Sequence, residues 1–168
     1  MRYNPDIHQR RSIRLKGYNY ALSGAYFVTI CTHARECLFA EFADERMILN
    51  DAGKVVQKIW DAIPVNYPGI ETDLFVIMPN HIHGIIVIRE PEKQGAMNCA
   101  PTLGMVVRGY KARCTHAINA MRKTVGTPVW QRNYYERILR YDRELSSARE
   151  YIFNNPAQWD TDKNNPST

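Results

Sequence analysis

Two histidines separated by one residue, His81-Ile82-His83, are the first residues here whose type and spacing could do chemistry. In a β-strand, residues two apart point to the same face, so both imidazoles would lie side by side while Ile82 points away. Neutral imidazoles placed this way can grip one divalent metal ion. The ordinary alternative is a pair of hydrogen-bonded histidines with nothing between them. Further along, Tyr151 and Asn155 stand four apart in the stretch Glu150-Tyr151-Ile152-Phe153-Asn154-Asn155-Pro156, so a helix places them on one face. A tyrosine hydroxyl can act as a covalent nucleophile, and an asparagine carbonyl oxygen can bind a metal. The bland alternatives are a packed aromatic and a helix-end residue ahead of proline.

These residues need elements to position them. Residues 25–32 (AYFVTICT) read as a strand, rich in β-branched and aromatic side chains. Residues 51–63 read as a helix, with Val55, Val56, Ile59, Trp60 and Ile63 at helical spacing and Pro64 and Pro68 closing it. Strands over 72–78 and 81–88 flank the turn signal Pro79-Asn80 and predict a hairpin. Residues 89–101 read as an exposed loop. A helix over 102–123 follows, with Val106, Tyr110, Cys114, Ile118 and Met121 as its apolar face. Residues 128–140 read as a strand, and a last helix starts near Asp142, read as its N-cap, and stops at Pro156. The first six elements give an α+β class, the ferredoxin-like βαββαβ plan of an antiparallel sheet with helices on one face. The seventh is an additional C-terminal helix.

The 168 residues fit one domain, with segments 1–14 and 160–168 expected to be flexible. Hydrophobic residues at 45% allow a core, and no apolar run reaches the length of a membrane span. With no apolar leader at the start, the expected location is the cytoplasm. The four cysteines, Cys31, Cys37, Cys99 and Cys114, form no Cys-x-x-Cys pair and read as reduced core fillers. A net charge of +5 is compatible with a polyanionic partner. His33 and His116 have no partner at metal spacing, and Trp60 and Trp159 read as packing.

Together, several segments resemble a known family. Met78-Pro79-Asn80-His81-Ile82-His83-Gly84 is similar to the HUH motif (histidine, bulky apolar residue, histidine) of single-tyrosine transposases. Residues 129–140 (VWQRNYYERILR) and 151–156 (YIFNNP) resemble the branch of that family associated with REPs, the repetitive extragenic palindromes of bacterial genomes. Leu15-Lys16-Gly17 and residues 26–30 (YFVTI) extend the likeness, which spans about residues 15 to 157. Relaxases, in which the tyrosine precedes the histidine pair, have the opposite order.

The resemblance implies the ferredoxin-like fold, Tyr151 on the late helix as nucleophile, and His81, His83 and Asn155 as metal ligands. It implies Mg²⁺ or Mn²⁺ as cofactor, a 5′-phosphotyrosine intermediate, and single-stranded or hairpin DNA as substrate. Arg10, Arg11, Arg14 and Lys16, with Arg108 and Lys111 on the second helix, are the candidates for holding the DNA backbone. Tyr134 and Tyr135 are rival hydroxyls that alternate in a strand, so only one can face the site. A monomer and a homodimer exchanging the tyrosine helix are both compatible with the family. Two other functions stay open: a hairpin-binding protein that is inactive or adopted by the host, and a hydrolase using water as nucleophile.

Overall fold

The computed structural model describes residues 23–43, 46–89 and 101–166. Arg10, Arg11, Arg14, Lys16, Cys99 and the expected flexible segment 1–14 lie outside the described residues, as does most of the loop 89–101. Four strands form one antiparallel sheet: β1 (Gly24–Cys31), β4 (Ile70–Ile77), β5 (His81–Ile88) and β6 (Tyr135–Leu139), in the order β4-β5-β1-β6. With helices α1 (Asp51–Asp61) and α3 (Leu103–Arg122) between them, this is the ferredoxin-like order expected. An unanticipated two-stranded hairpin, β2 (Ala40–Ala43) and β3 (Arg46–Leu49), is inserted between β1 and α1.

Alternation along the two central strands divides the sheet into two faces. Tyr26, Val28 and Ile30 of β1, with Ile82, Ile86 and Ile88 of β5, enter the main core under α1 and α3. There the Trp60 ring stacks on Phe75 with centroids 4.2 Å apart and meets Tyr110 edge-on. Gly84 makes this packing possible: a Cβ on it would lie 2.5 Å from two Trp60 ring carbons. Ala25, Phe27, Ile85 and Val87 point to the other face, where Ala148 and Ile152 of α4 (Asp142–Asn154) cover them together with Leu139. The added helix therefore makes a third layer opposite α1 and α3.

Helix ends follow from local chemistry. Asn50 caps α1 by accepting the Gly53 N–H at 3.0 Å, and Thr102 caps α3 by accepting the Met105 N–H at 3.3 Å. Lys123 closes α3 in the left-handed region, φ 56°. Pro64 does not simply end the first helix; it opens a short further turn, α2 (Ile63–Asn66). Tyr141, not Asp142, is the N-cap residue of α4; Asp142 sits in the first turn, where its charge suits the helix dipole. The strand expected over 128–140 shortens to Tyr135–Leu139, with Trp130 making a single bridge to Thr32. Met121, expected on the apolar face of α3, is 44% exposed. Cys31, Cys37 and Cys114 are free thiols, but only Cys114 is a buried filler; Cys37 is exposed. Among the described residues no helix is long and apolar enough to cross a membrane.

Candidate metal and tyrosine site

Strand β5 carries His81 and His83 onto the face covered by α4, and both are buried. Their Nε2 atoms face each other at 3.1 Å. A hydrogen-bond network fixes the His81 tautomer. The Asn80 Nδ2 group donates to the carbonyls of Arg35 at 3.2 Å and Asn164 at 2.6 Å. Its Oδ1 must therefore be the atom 2.8 Å from His81 Nδ1, so Nδ1 carries the proton and Nε2 presents a lone pair. His83 Nδ1 lies 2.8 Å from Thr29 Oγ1, a hydroxyl able to accept from an Nδ1–H and leave that Nε2 bare as well.

Burial holds both rings neutral. Desolvation pushes the His81 pKa down to about 4, against an opposing pull from Asp162. It pushes His83 down to about 3, helped by His81 and Lys163. Two buried lone pairs aimed at each other leave a place for a cation. Ligands about 2.1 Å from a metal stand roughly 3.0 Å apart at neighbouring octahedral positions and roughly 3.4 Å apart in a tetrahedron. The 3.1 Å separation is within the range that two ligands of one cation can span.

Tyr151 on α4 reaches the same place. Its Oη lies 3.4 Å from His83 Nε2, and its ring meets His83 edge-on with centroids 5.1 Å apart. Phe27 stacks on His83 at 5.3 Å and also meets the Tyr151 ring edge-on at 5.9 Å. The hydroxyl pKa is raised, first by burial and then by Asp162, while a hydrogen bond from Asn155 lowers it. One turn on, Asn155 is buried and its Oδ1 has no hydrogen-bond partner, an orphan acceptor that a cation would satisfy.

Residues beyond α4 also enter the site, contrary to the loose tail expected from 160 onward. A 3₁₀ turn, Pro156–Thr161, buries Trp159 with its ring 6.1 Å from that of His81. Asp162 then places Oδ2 3.9 Å from His81 Nε2, and Arg35 donates to the side chain of the buried Asn164. Sequence reasoning passed over Asp162 because it follows a polar stretch with no periodicity.

A cavity of about 530 Å³ opens beside the pair, lined by Phe27, His83, Tyr135, Tyr151 and the cations Arg35, Arg137 and Lys163. Of the two rival tyrosines, Tyr135 faces this cavity and pairs with Thr29, while Tyr134 packs on the main core. Arg137 was passed over, although strand alternation puts it on one face with Tyr135 and Leu139; Arg35 and Lys163 carried no signal. Arg108 and Lys111 lie on α3, which packs on the opposite face of the sheet. The Lys111 ammonium is held by the carbonyls of Gln131 at 2.6 Å and Arg132 at 3.1 Å, so it acts as a tether. A larger hollow, about 670 Å³ between α3 and residues 125–132, contains none of the histidine–tyrosine groups.

No family model matches the chain. It is 44% identical over 176 residues to an uncharacterized protein of Haemophilus influenzae, covering 96% of each. It is 24% identical over 140 residues to a second Haemophilus influenzae protein that carries the name REP-associated tyrosine transposase, covering 83% of this chain and 74% of that one. The fold matches a solved structure of a REP-associated tyrosine transposase bound to a REP hairpin, with TM-score 0.58 and 19% identity over 86% of this chain and 74% of that one.

Proposed function

We propose that the chain is a member of the REP-associated tyrosine transposase family, a reading supported by a 24% identical relative and by the shared fold, and that it is a metal-dependent endonuclease and strand transferase acting on single-stranded or hairpin DNA. The observation that carries this reading is the approach of Tyr151 Oη to His83 Nε2 at 3.4 Å, beside a second imidazole. A cytoplasmic place of action goes with a chromosomal palindrome as substrate.

The work divides among ligands, the groups that orient them, and cations. His81, His83 and Asn155 would hold Mg²⁺ or Mn²⁺, with both Nε2 lone pairs and the orphan Oδ1 as donors. A cation held there would withdraw charge from the scissile phosphate and orient it. Thr29 and Asn80 fix the imidazoles, so the donors are in place before DNA arrives. Arg35, Arg137 and Lys163 line the cavity and draw the phosphate backbone towards Tyr151.

Tyr151 is 41% exposed, enough for its phenol to lose a proton to water as it attacks. The Oη–P bond forms, the P–O3′ bond breaks, and the departing 3′ oxygen takes up a proton. A 5′-phosphotyrosine remains, conserving the phosphoester so that another 3′-hydroxyl can be joined without ATP. Because burial raises the hydroxyl pKa, Tyr151 alone is a poor nucleophile at neutral pH, and activation depends on its neighbours.

The test is covalent trapping. Incubating the protein with a labelled REP-like hairpin and Mn²⁺ should give an adduct that survives a denaturing gel and disappears in Tyr151→Phe. Binding without an adduct would turn the reading to a hairpin-binding protein. Cleavage that persists in Tyr151→Phe would point to a hydrolase.

A further inference from the structure

We propose that Asp162, on the segment that follows α4, is a further metal ligand of the His81/His83 site and binds the cation through Oδ2. This inference rests on the metal-dependent reading above and adds an anionic donor that the family resemblance did not supply.

Placement comes first. One ligand atom each from His81, His83 and Asp162 can be chosen so that all lie within 4.8 Å of one another. Opposite ligands about 2.1–2.2 Å from a metal are roughly 4.3 Å apart, so the three atoms would draw together by about 0.5 Å around one shared ion. The Asp162 side chain is only 6% exposed, and Oδ2 is the atom facing His81 Nε2, at 3.9 Å.

The orientation is set in advance. Asp162 Oδ1 accepts the Asn164 N–H at 2.7 Å, which turns the other oxygen to the imidazole. Asn164 is itself pinned at two points: its carbonyl accepts from Asn80 Nδ2 at 2.6 Å, and its side chain accepts from Arg35. The same Asn80 amide orients His81 through Oδ1. One asparagine therefore aligns an imidazole donor and the backbone that carries the carboxylate.

Chemistry favours the same conclusion. A carboxylate oxygen facing the imidazole pair offers a divalent cation a charged donor that two neutral nitrogens lack. Two imidazoles alone make a nitrogen-rich site that favours zinc or copper. Adding a carboxylate and an amide oxygen shifts the donor set towards Mn²⁺ and Mg²⁺.

The experiment is Mn²⁺ binding to the full chain without DNA, by calorimetry and by electron paramagnetic resonance. Asp162→Asn keeps Oδ1 as acceptor for Asn164 and removes the charge. It should weaken Mn²⁺ binding on the order of tenfold or more, with an unchanged circular dichroism spectrum. Unchanged affinity in Asp162→Asn, alongside loss in His81→Ala, would overturn the proposal and leave the nuclease reading standing. No Mn²⁺ binding by the unsubstituted protein would overturn both. A second measurement needs no variant: Mn²⁺ should slow amide hydrogen exchange across residues 156–166, and unaltered exchange there would also overturn the assignment.

Discussion

The two faces of one sheet are built to different rules. Under α1 and α3, Trp60, Phe75, Tyr110 and the even-numbered residues of β5 make a continuous apolar core. Under α4 the apolar cluster is small, with Ile85, Leu139, Ala148 and Ile152 as its buried members. The rest of that face is given to His81, His83 and the polar groups that orient them. Apolar packing is concentrated on one side and the proposed chemistry on the other, and a single strand, β5, serves both because its side chains alternate. Activity can therefore be lost from the α4 side while the main core stays whole.

The strongest way to break this contrast is Trp60→Ala, which removes the more deeply buried of the two tryptophans in the main core. It should cost about 3–5 kcal/mol in chemical denaturation. Ile152→Ala should cost about 2 kcal/mol, at the low end for a buried isoleucine, because the cluster under α4 is small. Its sharper signature is functional: α4 loses its anchor, and adduct formation through Tyr151 should fall by more than the stability loss explains. If Ile152→Ala costs as much stability as Trp60→Ala, the division between the faces is wrong. Gly84→Ala should cost about 1–3 kcal/mol by forcing Trp60 off Phe75, with a red-shifted tryptophan emission as the optical check. Thr29→Val should change stability least, by about 1 kcal/mol, yet lower Mn²⁺ affinity roughly tenfold by releasing His83 Nδ1.

The main-core face and the histidine pair were legible in the sequence because both leave a periodic trace. β-branched and aromatic residues over 25–32 and the Pro79-Asn80 turn ahead of 81–88 located β1 and β5, two-residue spacing put both histidines on one strand face, and four-residue spacing put Tyr151 and Asn155 on one helical face. The β2–β3 hairpin was not legible: its strands are four residues each, and the acidic and basic residues of 41–46 mask any alternation. Nor was the course of residues 156–166. Side chain to backbone bonds from Asn80 and Asn165, together with one tryptophan, hold that segment, and such contacts have no period. The basic residues followed the same pattern. Arg108 and Lys111 stood out by helical position yet belong to the other face, whereas Arg35 and Lys163 reach the cavity only through the folded path of the chain.

Gly84 lies next to His83, and the two together act as a check on how β5 is threaded. Shifting the strand by one residue against β1 would turn both imidazoles towards the Trp60 ring and bring isoleucine side chains to the tyrosine. The misaligned ladder would bury two polar rings among hydrocarbons, and the indole would lose the only position on β5 without a side chain to obstruct it. Each face thus rejects the error independently. The residues that would cut DNA also proofread the pairing of the strand that carries them.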